Sequence, residues 1–158
     1  MILKSKEDFE TAILNGEEIK HKIVFYTGEI EEKEPEKPLY DIGSYDARYG
    51  IYAGMCNHKQ IWLALKNAPE EKTWGDAKAY CDGNTYLPTK EELMLIYVNK
   101  DIINQALIKA GGEPMKDDCY WSSSKKSDNC FWGLKLSSGA IGIFDSQVTL
   151  YVRPVLTL

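Results

Sequence analysis

Apolar residues occupy every second position between Cys130 and Leu136, and this pattern constrains the fold more than any other. A period of two is typical of a strand with one buried face. Ser137-Ser138-Gly139 then predicts a hairpin turn into a second apolar run from Ala140 to Phe144. We therefore expect an antiparallel meander in the last third of the chain. The face with Trp132 should be its core face, and the face with Phe131 the freer one.

Helix signals precede the meander. Thr73 stands three residues before Asp76, and Thr89 stands three residues before Glu92, which is the spacing of a helix-initiating capping box. A third helix is predicted at about residues 101–110, because apolar residues recur there at helical spacing before a Gly-Gly stop. Three helices should therefore lie between the earlier strands and the meander.

Strand signals precede these helices. The continuous apolar run 60–65 predicts a strand that is covered on both faces. Further upstream, residues 5–16 predict a short helix, residues 22–27 a strand and residues 29–38 a solvated acidic loop. Strands, helices and strands in that order predict an α+β fold with a mainly antiparallel sheet.

The size and composition of the chain narrow its class. Its 158 residues, 44% of them hydrophobic, suit one soluble domain, in which residues 1–48 lead into a core at 49–156. A net charge of -5 without a basic cluster argues against nucleic-acid binding. No apolar stretch approaches the roughly 20 residues of a membrane span. The sequence shows no export signal, so its location is cytoplasmic or in a phage virion unless a leader was removed.

Residues that could carry chemistry lack the neighbours that chemistry needs. His21 and His58 have no carboxylate or cysteine at ligand spacing, and serines 122–124 stand outside any G-x-S-x-G motif. We predict no catalytic residue, no metal and no cofactor. The four cysteines favour free thiols over disulfides, although Cys119 and Cys130, expected on neighbouring strands, remain the pair that could bridge.

Two further features have structural interpretations. Arg153 interrupts an apolar strand, so its guanidinium should be satisfied by carbonyls or a carboxylate. Pro154 cannot donate to a ladder, which predicts an edge strand or a strand end there. Core anchors are predicted at all four tryptophans: Trp62, Trp74, Trp121 and Trp132.

Several strings, taken together and in this order, resemble the bacterial and phage branch of the C-type-lectin-like fold. They are Trp74-x-x-Ala77-x-x-x-Cys81, Leu87-Pro88-Thr89-Lys90-Glu91-Glu92-Leu93, Tyr120-Trp121-Ser122-Ser123-Ser124, Trp132, Ser138-Gly139 and Val152-Arg153-Pro154-Val155. This branch includes Lcl C-terminal-like domains, retroelement-diversified variable proteins and, more distantly, formylglycine-generating sulfatase-modifying enzymes. The resemblance covers about residues 50–155. It implies N- and C-terminal strands that lie close together, helices packed on one side, and a twisted antiparallel sheet that presents ligand-facing loops.

The chain departs from two functional patterns of these relatives. Calcium-dependent members use Glu-Pro-Asn or Gln-Pro-Asp, whereas this chain has Glu113-Pro114-Met115. The methionine removes an oxygen ligand, so the resemblance implies a calcium-independent member. The enzyme branch relies on a reactive cysteine pair near its C-terminal end, whereas Cys119 and Cys130 have apolar neighbours here.

The polar loops of the meander are the candidate site. Loops 125–129 and 145–149 should emerge at the same end of the sheet, although ordinary solvated loops would look the same. The candidate ligand-binding residues are Tyr120, Lys125, Lys126, Asp128, Asn129, Phe131, Phe144, Asp145 and Gln147. We expect a noncatalytic module that recognises a protein or glycan, and a homo-oligomer is compatible with this. The alternatives are a relative of the formylglycine-generating cysteine oxidases and a structural subunit of a phage tail or surface assembly.

Overall fold

Seven strands and three helices form the part of the chain that a computed structural model describes, residues 40–158. The helix, strand and acidic loop predicted within residues 5–38 lie outside it. The elements are β1 (Tyr45–Asp46), β2 (Gly50–Cys56), β3 (Lys59–Leu63), α1 (Trp74–Tyr80), α2 (Lys90–Val98), α3 (Lys100–Lys109), β4 (Cys119–Ser127), β5 (Cys130–Lys135), β6 (Ala140–Asp145) and β7 (Val155–Thr157). The predicted α+β class is confirmed.

The first sheet is antiparallel, with the strand order β1-β2-β3-β7. Asn57 and His58 form the tight turn between β2 and β3, and both have positive φ, 49° and 62°. Strand β3 is central, and its Trp62 is fully buried, which confirms the strand predicted from the run 60–65. Strand β7 begins directly after Pro154 and lies at the edge of this sheet, as the proline predicts.

The second sheet is the predicted meander, β4-β5-β6. Strands β5 and β6 pair without interruption from Lys135 with Ala140 to Cys130 with Asp145, and the turn at Gly139 has a φ of 74°. Two separate sheets therefore replace the one mainly antiparallel sheet expected. The outer edge of β4 bonds to irregular chain instead of a strand: the N–H of Trp121 donates to the carbonyl of Tyr151.

Both faces of β4 and β5 are covered. Leu134 belongs to a core cluster shared with α2, α3 and the first sheet. On the opposite face, Phe131 is 6% exposed and its ring stacks on that of Trp74, with the centroids 3.6 Å apart. The prediction of a freer face at Phe131 is therefore wrong. Alternation along one strand cannot show that α1 and residues 150–152 supply a second covering layer.

The helices begin where their capping residues predict. Thr89 accepts a hydrogen bond from the N–H of Glu92, whose carboxylate in turn accepts from the N–H of Thr89, so this capping box is complete. At α1, Thr73 accepts from the N–H of Asp76. The third helix spans Lys100–Lys109, close to its predicted range. None of the helices in residues 40–158 is both long and apolar enough to cross a membrane.

Arg153 is fully buried, and its predicted structural role is confirmed. Its Nε donates to Oδ1 of Asn67 at 2.8 Å, and its Nη1 donates to the carbonyl of Ala64 at 2.9 Å. Its Nη2 donates to the carbonyls of Glu113 at 2.7 Å and Pro114 at 3.3 Å. The guanidinium thus ties two segments, 64–67 and 113–114, to the chain just before β7.

The cysteines and tryptophans bear on two further predictions, the state of the thiols and the burial of the indole rings. All four cysteines are free. Cys119 lies opposite Lys135, whereas Cys130 lies opposite Ser127, so the two candidate partners sit at opposite ends of one ladder. Of the predicted core anchors, Trp62 and Trp121 are fully buried, while Trp74 and Trp132 are half-buried.

The predicted start of the core at residue 49 falls after residues that already belong to the first sheet. The N–H of Gly43 donates to the carbonyl of Tyr52, and β1 pairs with the start of β2. The ring of Tyr40 packs edge-on against Trp62, with the centroids 4.8 Å apart. Residues 40–48 therefore form part of the same packed structure as β2 and β3.

Candidate ligand-binding surface

The two polar loops meet at one end of the second sheet. The N–H of Ser146 donates to the carbonyl of Asn129 at 2.7 Å, which joins the β4–β5 turn to the chain after β6. Lys125 and Asp128 form an exposed ion pair at 2.9 Å. Asp145 accepts a hydrogen bond from the N–H of Gln147, which turns the chain back toward α1.

The aromatic candidates are placed differently. Tyr120 is fully buried, and its hydroxyl donates to Oδ1 of Asn67 at 3.0 Å. Phe131 lies beneath Trp74, and the half-buried Phe144 packs edge-on against Trp121, with the centroids 6.0 Å apart. Burial removes Tyr120 and Phe131 from the surface that a ligand reaches, which corrects the expectation for these two residues.

Lys125 and Lys126 are adjacent in β4, but their side chains lie on opposite faces of the sheet. Lys125 pairs in register with Phe131, on the α1 side. The ammonium of Lys126 lies on the other side, 5.7 Å from the ring centroid of Trp132. The ammonium of Lys90 lies 4.9 Å from the same centroid. Both distances are within the range of cation–π attraction, so two cations flank one half-buried indole.

The start of α2 and an irregular stretch of β4 hold this arrangement. The backbone N–H of Lys90 donates to Oγ of Ser124 at 3.0 Å, which fixes the helix start against β4. The register of β4 shifts between Trp121 and Lys125, so the serines there bulge opposite Trp132. The hydroxyl of Ser122 donates to the carbonyl of Trp132, which bonds this irregular stretch to β5.

An apolar strip continues the surface beyond Trp132. Ile143 of β6 is the register partner of Trp132, and Ile141 lies two residues away on the same face. They are 48% and 43% exposed. Helix α2 packs on β2, β4 and β5, while β6 is the outer strand of the meander. We call the set Lys90, Lys126, Trp132, Ile141 and Ile143 the Trp132 surface.

The charge on this surface is positive, although the protein is acidic overall. Within residues 40–158, Lys126 has no carboxylate within ion-pair distance, and the nearest to Lys90 is Glu91 at 3.9 Å. Asp145, at the end of the isoleucine strip, already accepts the N–H of Gln147. Two ammonium groups therefore remain available to an anionic partner.

The sequence patterns did not single out Lys90, Ile141 and Ile143 as surface residues, and they predicted Trp132 as a core anchor. The capping box was a signal for Lys90, because a box that begins at Thr89 makes Lys90 the first residue of the helix. Nothing in the alternation of β6 distinguishes a covered isoleucine from an exposed one. Which residues cover β6 depends on where α2 ends up, and α2 precedes β6 by some forty residues of chain.

Burial affects the thiols of Cys81 and Cys119. Burial raises the pKa of Cys81 to about 11, and burial followed by the charge of Asp118 raises the pKa of Cys119. Nucleophilic cysteines have depressed pKa values instead. Across residues 40–158, no three His, Cys, Asp or Glu side chains lie close enough together to hold a metal ion.

Comparisons with known proteins add no family assignment. The chain matches no protein-family model and no curated protein sequence. Its function is therefore inferred from the residues of the Trp132 surface and from the placement of its strands.

Proposed function

We propose that the chain is a noncatalytic binding module with a C-type-lectin-like fold, from a bacterium or phage, that recognises a protein or glycan. The Trp132 surface and the adjoining loops 125–129 and 145–147 would form its binding face. Two features of the topology support the fold: β7 returns to pair with β3 of the first sheet, and a three-stranded meander presents its loops at one end.

One observation carries the functional proposal. Trp132 is half-buried, two lysine ammonium groups lie 4.9 and 5.7 Å from its ring centroid, and it borders isoleucines that are almost half exposed. Aromatic rings, cations and exposed aliphatic side chains together are typical of recognition surfaces. None of the residues involved is needed to complete the core clusters.

The test begins with an array of glycans and an array of peptides, both probed with the full chain. Hits are retested with the double variant Lys126→Ala, Ile143→Ser. We expect at least about tenfold weaker binding, since central interface residues each contribute about 1 kcal/mol or more. The melting temperature should fall by no more than about 4 °C, because Lys126 is exposed and Ile143 is almost half exposed.

The matched control is Lys109→Ala with Ile108→Ser. Both residues are exposed on α3, outside the Trp132 surface and the two loops, and Ile108 is 63% accessible. This variant should bind like the parent chain. Loss of binding in the control with retention in the test variant would place the site elsewhere, and two blank arrays would contradict a binding function.

A further inference from the structure

We propose that the partner of the Trp132 surface is an acidic peptide segment that also carries aliphatic residues. The segment would lie along β6, with its carboxylates at Lys90 and Lys126 and its aliphatic side chains on Ile141 and Ile143. This inference rests on the proposed function and specifies the ligand class of the same surface.

Two neighbouring lysines differ in their partners. Lys125 is ion-paired with Asp128 at 2.9 Å, whereas the ammonium of Lys126 lies over an uncharged ring. A cation–π contact orients an ammonium group without cancelling its charge. Lys90 keeps most of its charge as well, because its contact with Glu91 is long and both side chains are substantially exposed. A carboxylate therefore gains two oriented cations here.

The outer edge of β6 is open within residues 40–158. Strand β6 is an edge strand of the three-stranded sheet, it pairs with β5 without a bulge, and it carries neither lysine nor proline, which commonly block sheet edges. An extended segment can hydrogen-bond to such an edge, and every second side chain of that segment then lies beside Ile141 and Ile143. An extended peptide fits this geometry.

The hydrogen-bonding groups of the Trp132 surface favour a peptide over a neutral glycan. Sugar hydroxyls act as both donors and acceptors, so they need side-chain acceptors as well as donors. Within residues 40–158, the five side chains of the Trp132 surface supply ammonium and indole N–H donors and apolar groups, and no acceptor. The bordering acceptors are Glu91, which approaches Lys90, and Asp145, which accepts from Gln147. Carboxylates meet this donor-rich surface better than hydroxyls do.

The probe is a random twelve-residue peptide library displayed on phage and panned against the full chain. We expect the recovered peptides to be rich in Asp or Glu and in Ile, Leu or Val. Replacing their acidic residues by amides should weaken binding at least tenfold. Lys90→Glu with Lys126→Glu should weaken it similarly and should gain binding to the same peptides with Lys in place of Glu.

The control variant is Lys109→Glu, which reverses an exposed charge on α3, outside the Trp132 surface and the two loops, and should leave peptide affinity within twofold. Circular dichroism of the charge-reversed variant checks its fold, and Glu at position 90 suits the first turn of a helix. Recovered peptides that are neutral or basic yet still need Ile143 would overturn this inference and leave the proposed function standing. Binding of glycans alone through the same surface would do the same. A blank library together with blank arrays would overturn both.

Discussion

Arg153 shows how a single residue can hold distant segments together. Its guanidinium is buried among neutral oxygens, three backbone carbonyls and one amide oxygen, all within 3.3 Å. Burial lowers the pKa of this arginine, but a guanidinium remains charged at any ordinary pH. Planar geometry with several donors is what lets one side chain satisfy all of these acceptors.

We predict that Arg153→Lys lowers the free energy of unfolding by about 2–5 kcal/mol. A lysine ammonium cannot reach the same set of oxygens, and each buried acceptor left unpaired costs about 1–3 kcal/mol. Urea unfolding followed by tryptophan fluorescence measures the change. A loss below about 0.5 kcal/mol would show that the fork geometry is dispensable.

Sequence reasoning succeeds at Arg153 and fails at Tyr120 for one physical reason. A charged side chain in an apolar stretch must be hydrogen-bonded if it is buried, so the sequence around Arg153 indicates a structural role. Tyr120 is amphipathic and suits either a surface or a core. In the folded protein, the Tyr120 hydroxyl donates to Asn67, which lies 53 residues earlier in the chain. No local sequence pattern reveals such a contact.

Strands β5 and β6 depend on a pair of facing glycines. Gly133 and Gly142 are register partners, and the ring of Phe144 lies over both. A Cβ on Gly133 would stand 2.9 Å from Cε2 of Phe144 and 3.0 Å from the carbonyl oxygen of Tyr120. The missing side chains make the space that lets Phe144 pack inward.

We predict opposite effects for two glycine substitutions. Gly133→Ala should destabilise the protein by about 1–3 kcal/mol, because it overpacks a ring and a backbone carbonyl. Gly75→Ala should be neutral or stabilise by up to about 1 kcal/mol, because Gly75 lies in α1 with open space around it. Thermal unfolding of both variants measures the difference. Equal melting temperatures would contradict this account of the strand pair.

At the level of elements, local residue patterns predicted which helices and turns exist better than they predicted which strand faces are covered. The capping residues located α1 and α2, and the Ser-Ser-Gly turn located the β5–β6 hairpin. The covered and open faces of those strands were assigned less well. Phe131 is covered by Trp74 of α1, and Ile143 is left open because α2 lies over the neighbouring strands. Both outcomes depend on packing between elements.

The whole molecule buries several weakly acidic groups in their neutral forms. Burial raises the pKa of Cys81 to about 11 and also raises the pKa of Tyr86, where a hydrogen bond to Glu92 adds to the effect. Burial raises the pKa values of Cys119 and Tyr120 as well. The folded state therefore holds protons that the unfolded chain releases as the pH rises.

We predict a loss of stability at alkaline pH. A thiol in the unfolded chain ionises near pH 9, whereas Cys81 in the folded protein ionises near 11, so its contribution is intact below pH 8 and declines between about 9 and 11. Urea midpoints at pH 7.5, 9 and 10 should fall in that order. Cys81→Ala should make the fall shallower, and an unchanged slope would show that Cys81 does not contribute.

At the level of the whole molecule, the order of strands, helices and strands predicted the α+β class correctly. The number of sheets depends on contacts between distant segments, which that order does not show. The outer edge of β4 meets the carbonyls of Pro88 and Tyr151 instead of another strand. That edge bonding separates the meander from the β1-β2-β3-β7 sheet. The C-type-lectin-like assignment stays a proposal that rests on the motif strings and on the pairing of β7 with β3.

The position of Arg153 also bears on how the protein is made. Its partners at Ala64 and at Glu113 leave the ribosome long before it does, 89 residues earlier in the case of Ala64. Until Arg153 and β7 emerge, those carbonyls lack their guanidinium donor and β3 lacks its pairing with β7. We therefore expect a nascent chain stalled before Arg153 to leave this edge of β3 unpaired, which is the kind of edge that chaperones protect.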